Sequence, residues 1–433
     1  MNIAIVGFDR EGKISYDYFK EQGHAITILD AKENLEIPKG VSAVLGAKYL
    51  ESANSFDMIV RTAGLPIDKL ATAGVRAEKV WSGTNEFFKV CPTKKIIGVT
   101  GTKGKGTTTS LITAMLQKAG YKVHIGGNIG RPALDLLNDS ITPNDWVVLE
   151  LSSYQLSDIK SSPHIGVCLL IVPEHLDWHG NFANYTAAKA NMFAHQSADD
   201  IAIYYSNSPN SKAIASHSSG MLVPYYSPPG AHIIDTNICI DDTTICSLED
   251  IGLLGKHNWQ NVCAAVTAVW QVVPDAAVLR AAIKDFKGLE HRIEFLDEKD
   301  GVRYYNDSFA TGLHATIAAI NAIPEQKVVI IGGYDRMLPI DDFGQFIKKE
   351  AKNVKHILLI GNSKERMSKM LEAFGIHNYS VSQSTNIHTI VADARTYAAN
   401  GDAIVFSPGF ASFDMFNNFE ERGQLFKKEV QAL

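Results

Sequence analysis

At 433 residues the chain exceeds what one hydrophobic core serves, so two or three domains are expected. With 45% hydrophobic and 20% charged residues it reads as an ordinary globular protein, and a formal net charge of -6 with no basic block excludes a general nucleic-acid binder. Five scattered cysteines (Cys91, Cys168, Cys239, Cys246, Cys263) lack C-x-x-C spacing, which excludes a zinc module or disulfide framework. No apolar run approaches the ~18 residues of a membrane span, and the N-terminus reads as a strand rather than a signal peptide. The expectation is a cytoplasmic protein without membrane insertion.

Residues 1–90 read as strand–helix repeats. Asn2–Val6 is a buried strand, the stretch from Gly7 to Gly12 a turn at its end, and residues 25–29 a second strand ending in Asp30. Strand, glycine turn, helix, strand and acidic residue make a Rossmann-like beginning. Gly7-Phe8-Asp9-Arg10-Glu11-Gly12 lacks the middle glycine of a dinucleotide fingerprint. The expectation therefore stops at a nucleotide-sized ligand at the strand ends, with Asp30 placed to accept from a hydroxyl. Another strand, 58–60, runs into Arg61-Thr62-Ala63-Gly64-Leu65-Pro66, a second loop at the same edge.

Residues 94–120 carry the most concentrated signal. An apolar strand, 96–99, feeds a glycine-rich loop that opens into helically spaced residues 110–116. Gly98, Gly101, Gly104 and Gly106 are expected to let the backbone turn tightly and aim its N–H groups inward. With a helix N-terminus behind them they suit a phosphate chain, and Lys105 supplies a full positive charge. The common P-loop pattern G-x-x-x-x-G-K-[ST] is departed from twice. Only two residues separate Gly101 from Gly104-Lys105, and Gly106 stands where a Mg²⁺-binding hydroxyl is expected, leaving Thr107 or Thr108 to take that role. A bare glycine turn is the rival reading, but it does not account for strand, loop, lysine, hydroxyls and helix arriving in that order.

Gly126-Gly127-Asn128-Ile129-Gly130 is a flexible loop presenting one amide. Residues 146–153 form a buried strand ending on Glu150 and hydroxyls; Glu150 is either a Mg²⁺ ligand beside the P-loop or a helix-capping carboxylate. The apolar run 166–172 leads into Pro173-Glu174-His175-Leu176-Asp177-Trp178-His179-Gly180, four ionisable groups close behind a buried strand. An amphipathic helix over 185–193 follows, in which Lys189, taken alone, is a solvated lysine. Short strands continue to Gly255-Lys256-His257-Asn258-Trp259-Gln260-Asn261 and an alanine-rich helix. From about residue 291 the pattern restarts, with strands at 303–306, 327–331, 356–360 and 403–407, which predicts a third parallel α/β domain.

Taken together these motifs resemble the Mur ligases, ATP-dependent amide-forming enzymes of peptidoglycan precursor synthesis. The matching stretches are residues 98–108, the Asn128 loop, Glu150-Leu151-Ser152-Ser153-Tyr154-Gln155-Leu156, Glu174-His175-Leu176-Asp177 and Ala187-Ala188-Lys189. Also matching are Gly255-Lys256-His257-Asn258-x-x-Asn261, Gly288-Leu289-Glu290-His291-Arg292, Asn306-Asp307-Ser308 and the run from Ser407-Pro408 to Arg422-Gly423. The last is typical of the branch that adds D-glutamate.

The resemblance implies an α/β fold of three domains: a Rossmann-like UDP-substrate domain over 1–91, a central P-loop ATPase-type domain over 92–290 and a Rossmann-like amino-acid domain over 291–433. It implies Lys105, Glu150, His175 and Lys189 as catalytic. ATP falls to Gly101, Thr102, Lys103, Gly104, Lys105, Gly106, Thr107, Thr108, His257, Asn258, Asn261, Arg292 and Asp307. The UDP-muramoyl substrate falls to Gly12, Lys13, Asp30, Thr62, Gly64, Asn128 and His175. The amino acid falls to Thr311, Arg336, Ser412, Phe413 and Phe419. Two Mg²⁺ ions are implied on Thr107, Glu150, His175 and Lys189, the last carbamylated into an anionic oxygen ligand. The partners implied are small molecules only, for a monomer whose domains close on ATP. Two departures stand out. Gly106 gives a Gly-Lys-Gly order familiar from folylpolyglutamate synthases, and Phe309 replaces a family lysine, which bears on the amino acid more than on the reaction. The competing expectations are a folylpolyglutamate synthase-like activity, a non-catalytic nucleotide-binding relative and, from the first strand–turn–helix, a dehydrogenase.

Overall fold

The computed structural model describes all 433 residues, which divide into two compact units: Met1–Ile251 with His257–Phe286, and Gly252–Lys256 with Lys287–Leu433. No helix is long and apolar enough to cross a membrane.

The first unit carries two parallel sheets. Strands β1 (Asn2–Val6), β2 (Ala25–Asp30), β3 (Ser42–Leu45), β4 (Met58–Arg61) and β5 (Val80–Ser82) lie in the order β3-β2-β1-β4-β5. Chain order reverses between β1 and β4, the switch point where ligands of such sheets sit beyond the strand ends. The helix Arg10–Glu21 starts before Gly12, which belongs to its first turn and not to the expected Gly7-to-Gly12 turn. A Cβ at Gly12 would lie 1.9 Å from the Gly7 carbonyl oxygen. This glycine serves close helix-to-strand packing in the first turn of that helix.

The second sheet comprises β6 (Ile96–Thr100), β7 (Val123–Gly127), β8 (Trp146–Glu150), β9 (Ile165–Cys168), β10 (Ile201–Tyr205) and β11 (Met221–Tyr225), ordered β11-β10-β9-β6-β8-β7. β6, β8 and β9 are buried along their full length, as expected of parallel strands covered on both faces. Gly98 lies inside β6, where a Cβ would meet Pro163 at 2.7 Å, and Gly106 lies inside the helix Lys105–Lys118. Of the four expected turn glycines only Gly101 (φ 154°) and Gly104 (φ 89°) use the left-handed region. A small antiparallel sheet, β12 (His232–Ile234), β13 (Asn237–Ile240) and β14 (Thr243–Ser247), completes the unit.

The second unit holds β15 (Glu294–Lys299), β16 (Val302–Asn306), β17 (Lys327–Gly332), β18 (Val354–Ile360), β19 (Tyr379–Val381) and β20 (Ala403–Phe406) in the order β15-β16-β20-β17-β18-β19. The expected parallel sheet is modified at one edge, because β15 pairs antiparallel with β16. Glu294 to Lys299 is half-exposed and charged, so it carries none of the apolar run that marks a buried parallel strand.

Candidate active site

The P-loop is built by β6, the turn Gly101–Gly104 and the helix Lys105–Lys118. Gly104 can hold φ 89° because it lacks a Cβ; one placed there would stand 2.3 Å from Asn261 Oδ1. Asn261 in turn donates Nδ2 to Asn258 Oδ1 at 2.9 Å, so these two residues of the helix His257–Trp270 brace the loop. His257 opens that helix. Lys105 Nζ donates to the carbonyls of Gly101 (3.1 Å) and Thr102 (3.2 Å). The Thr102 hydroxyl is turned away from the loop mouth, shared with Tyr185 OH (2.8 Å) and the Val172 carbonyl (3.0 Å), while Lys103 pairs with Glu174. Thr108 is fully buried and its hydroxyl reaches Asn261 Oδ1 at 3.5 Å; Thr107 keeps 8% exposure and makes no such bond.

Lys189 is the principal correction to the residue-by-residue reading. It is 1% exposed rather than solvated, and its Nζ donates to Gly101 O at 2.9 Å and Thr100 Oγ1 at 3.3 Å. The helix Phe182–Ala194 therefore points this amine at the carbonyl that Lys105 also uses. Burial, reinforced by the Lys105 charge, lowers its pKa from 10.5 to about 7. Around neutral pH a large fraction of this amine is uncharged and nucleophilic.

Glu150 closes β8, two strands of one sheet placing it beside the P-loop strand. It is 6% exposed, in no ion pair, and accepts from Asn128 Nδ2 at 2.6 Å. It does not cap the following turn; Ser152 and Gln155 form that capping box. His175 sits half-exposed at φ 56°, a left-handed conformation that costs a non-glycine residue energy and is typical of functional sites. Burial, opposed by Glu174, lowers its pKa. The Tyr154 ring packs on His175, Trp178 and His179 at centroid distances of 5.0, 4.8 and 5.7 Å.

The chemistry of these donors fits the two implied groups. Mg²⁺ bound to phosphates needs only one or two protein carboxylates, the remaining ligands being phosphate oxygens and water. Glu150, a buried carboxylate in no ion pair, suits that role, with the Thr107 hydroxyl in the first turn of the P-loop helix as a further oxygen; no cluster of three His, Cys, Asp or Glu side chains is present. A buried amine at Lys189 whose pKa is pushed down toward neutrality suits reaction with CO₂.

At the end of the first sheet, Asp30 Oδ2 accepts from Phe8 N (2.7 Å) and Oδ1 from Lys32 N (2.8 Å), so the expected hydroxyl acceptor first holds its own loops together. Lys13 is exposed. The Thr62 hydroxyl donates to Val6 O at 3.2 Å, and the Gly64 carbonyl accepts from Trp178 Nε1 at 3.2 Å. The structure thus ties Gly64 to the His175 segment through Trp178, and Thr62 to the end of β1. Sequence reasoning missed the roles of Arg61, Asp158, Glu11 and Gln155, which tie the 62–65 loop to the turn that follows Glu150; the available signal was a charged residue closing an apolar strand.

In the second unit Asp307 is 4% exposed, accepting from Ser407 Oγ (2.6 Å) and Ile293 N (3.2 Å). Burial raises its pKa to about 7. Buried Arg422 donates to Ser308 O (2.7 Å), Ser308 Oγ (3.0 Å) and Phe410 O (3.1 Å), joining the Ser308 turn to the segment leading into Ser412. Phe309 makes an edge contact with Phe419 (5.0 Å), and the Arg292 guanidinium lies over the Phe309 ring at 5.6 Å. Phe309 thus carries a cation over its ring. Tyr334 pairs with Ala411 in an isolated bridge and contacts exposed Phe413, beside exposed Arg336 and buried Ser412. Thr311 is half-buried after the Ser308 turn.

Residues 99–269 match the Mur ligase middle domain and residues 291–410 the Mur ligase glutamate ligase domain. The UDP-N-acetylmuramoylalanine--D-glutamate ligase of Clostridium kluyveri is 34% identical over 448 residues, covering 100% of this chain and 96% of that protein. The Acetivibrio thermocellus protein of the same name is 37% identical over 455 residues, with the same coverage. Among solved structures, MurF ligase from Thermotoga maritima in complex with ADP aligns with a TM-score of 0.59 at 15% identity, over 100% of this chain and 95% of that one. E. coli FolC in complex with DHPP and ADP aligns at 0.57 and 16% identity, over 86% and 99%. At these identities the two structures speak for the fold alone.

Proposed function

This chain belongs to the Mur ligase family, and from that premise we propose that it joins D-glutamate to UDP-N-acetylmuramoyl-L-alanine at the expense of ATP. The observation that carries this reading is the convergence of Lys105, Lys189 and Glu150 at the ends of neighbouring strands, in a chain similar to D-glutamate ligases over its whole length.

In the proposed reaction the L-alanyl carboxylate attacks the γ-phosphorus of ATP, the bond to ADP breaks and an acyl phosphate forms. The D-glutamate amine then attacks the acyl carbon; phosphate leaves and the amine's proton is released. No covalent enzyme intermediate is needed, so positioning and charge neutralisation supply the acceleration. Lys105 exchanges its loop carbonyls for the β and γ phosphates. Mg²⁺, held by Glu150 and Thr107 and further by His175 and a Lys189 carbamate, would neutralise phosphate charge. Asn128 orients Glu150. Thr62, Gly64, Lys13 and Asp30 are assigned to the UDP-muramoyl substrate; His257, Asn258, Asn261, Arg292 and Asp307 to the nucleotide; Thr311, Arg336, Ser412, Phe413 and Phe419 to the amino acid. The proposed domain limits are 1–91, 92–290 and 291–433, the first two supported by the separate sheets β1–β5 and β6–β11, and the five buried free thiols support a reducing cytoplasm.

Phosphate release from ATP, measured with UDP-N-acetylmuramoyl-L-alanine and a panel of D- and L-amino acids, tests the reading, with a folate acceptor as comparison. D-Glutamate alone is expected to give turnover. Release with the folate acceptor, or none with D-glutamate, would overturn it.

A further inference from the structure

Arg61 closes β4, yet its side chain is fully buried. Burying a guanidinium costs several kcal/mol and is tolerated only when every donor is met. Here Nε donates to Asp158 Oδ2 (2.8 Å) and Nη2 to Asp158 Oδ1 (2.6 Å), a bidentate fork. Nη2 also reaches Tyr154 O (2.8 Å) and Ser157 Oγ (2.7 Å). Nη1 faces the other way, to the carbonyls of Leu65 (3.1 Å), Thr62 (3.3 Å) and Ala63 (3.5 Å). One planar group thus binds three carbonyls of the 62–65 loop on one side and the turn that follows Glu150 on the other.

A parallel tie uses the loop's donors. Glu11 Oε2 accepts from Ala63 N (2.9 Å), and Oε1 accepts from Gln155 Nε2 (3.0 Å). Gln155 belongs to the capping box with Ser152, two residues past Glu150. Tyr154, whose carbonyl Arg61 holds, packs against His175 and Trp178. An ordinary strand end needs none of this, because its ladder is complete without a buried charge.

We propose that Arg61 is a positioning residue that fixes the 62–65 loop in register with the turn that follows Glu150, against whose Tyr154 the His175 ring packs, and so sets the affinity for the UDP-linked substrate. This rests on the substrate assignment of that loop above. Arg61 touches no reacting atom; it acts through the loop carbonyls.

Three variants test it. Arg61→Lys keeps the charge but cannot form the fork; KM for UDP-N-acetylmuramoyl-L-alanine should rise about tenfold or more, with KM for ATP nearly unchanged. The double variant Arg61→Met/Asp158→Leu replaces the ion pair with apolar volume, which usually preserves folding; it should melt near the parent yet show the same rise. Ser157→Ala removes a single bond and should give a smaller rise in the same constant. Parallel rises in both KM values, or an unchanged KM for the UDP substrate in the folded variants, would overturn the proposal. Should the parent protein show no ligation, the functional reading fails by itself. Deuterium exchange then decides the positioning role: faster exchange at Ala63 and Leu65 in the double variant upholds it, and unchanged exchange sinks it.

Discussion

Two amines share the Gly101 carbonyl oxygen, and burial, reinforced by the Lys105 charge, pushes the pKa of Lys189 down to about 7. Lys189→Arg keeps a donor but is charged at every accessible pH, so it cannot form a carbamate; turnover should fall at least ~10²-fold, the scale seen when a charge-stabilising group is lost. Phosphate release at saturating substrates checks this, and activity near the parent's would remove Lys189 from the catalytic set. Asp307 carries the opposite shift, from 3.8 to about 7 by burial. Between those values the folded chain holds a proton that the unfolded chain has released, so this residue costs stability as pH rises toward 7 and adds no further change above it. Asp307→Asn can still accept from Ile293 N and donate to Ser407. Its denaturation midpoint should therefore gain on the parent's between pH 4 and pH 8; a constant difference across that range would show that Asp307 is ionised in the fold.

At the scale of elements, the P-loop depends on one glycine more than on the others. Gly104→Ala meets two separate penalties: a left-handed φ of 89°, worth ~1–2 kcal/mol, and a Cβ 2.3 Å from Asn261 Oδ1. Made in an Asn261→Ala background it should cost only the backbone share, and a double-mutant cycle of denaturation midpoints reads the difference; purely additive effects would mean that Asn261 does not brace the loop. Which glycine mattered was not legible in the sequence, since Gly98 and Gly106 look the same until β6 is seen packed on Pro163 and the helix seen to begin at Lys105. The strands β1, β2, β4, β6, β8, β9, β16, β17, β18 and β20 were legible in their chain order, because parallel strands covered on both faces must be continuously apolar. The short β3, β5 and β19 were not, and β7 takes in Gly126 and Gly127 of the expected flexible loop. Nor was β15, being half-exposed, charged and antiparallel. Lys189 read as a surface lysine because helical periodicity reports a face, whereas the amine's environment is set by Thr100 and Gly101, nearly 90 positions away. Arg61 escaped for the same reason, its partner Asp158 lying 97 positions further on.

On the scale of the whole molecule, each compact unit has its own hydrophobic cores: those of the first pack against its two parallel sheets, and those of the second cover both faces of the sheet around β16 to β18. The tryptophans divide unevenly between them. All five, Trp81, Trp146, Trp178, Trp259 and Trp270, belong to the first unit and none to the second. Tryptophan fluorescence therefore follows unfolding of the first unit alone, whereas far-ultraviolet circular dichroism follows both. A ligand raises the stability of the unit that binds it by ~2.7 kcal/mol when present at a hundred times its Kd. If the assignments hold, UDP-N-acetylmuramoyl-L-alanine should move the fluorescence midpoint upward. D-Glutamate should leave that midpoint in place and move only the transition seen by circular dichroism. A fluorescence midpoint that climbs with D-glutamate would transfer the amino-acid site to the first unit, and with it the roles given to Thr311, Arg336, Ser412 and Phe419.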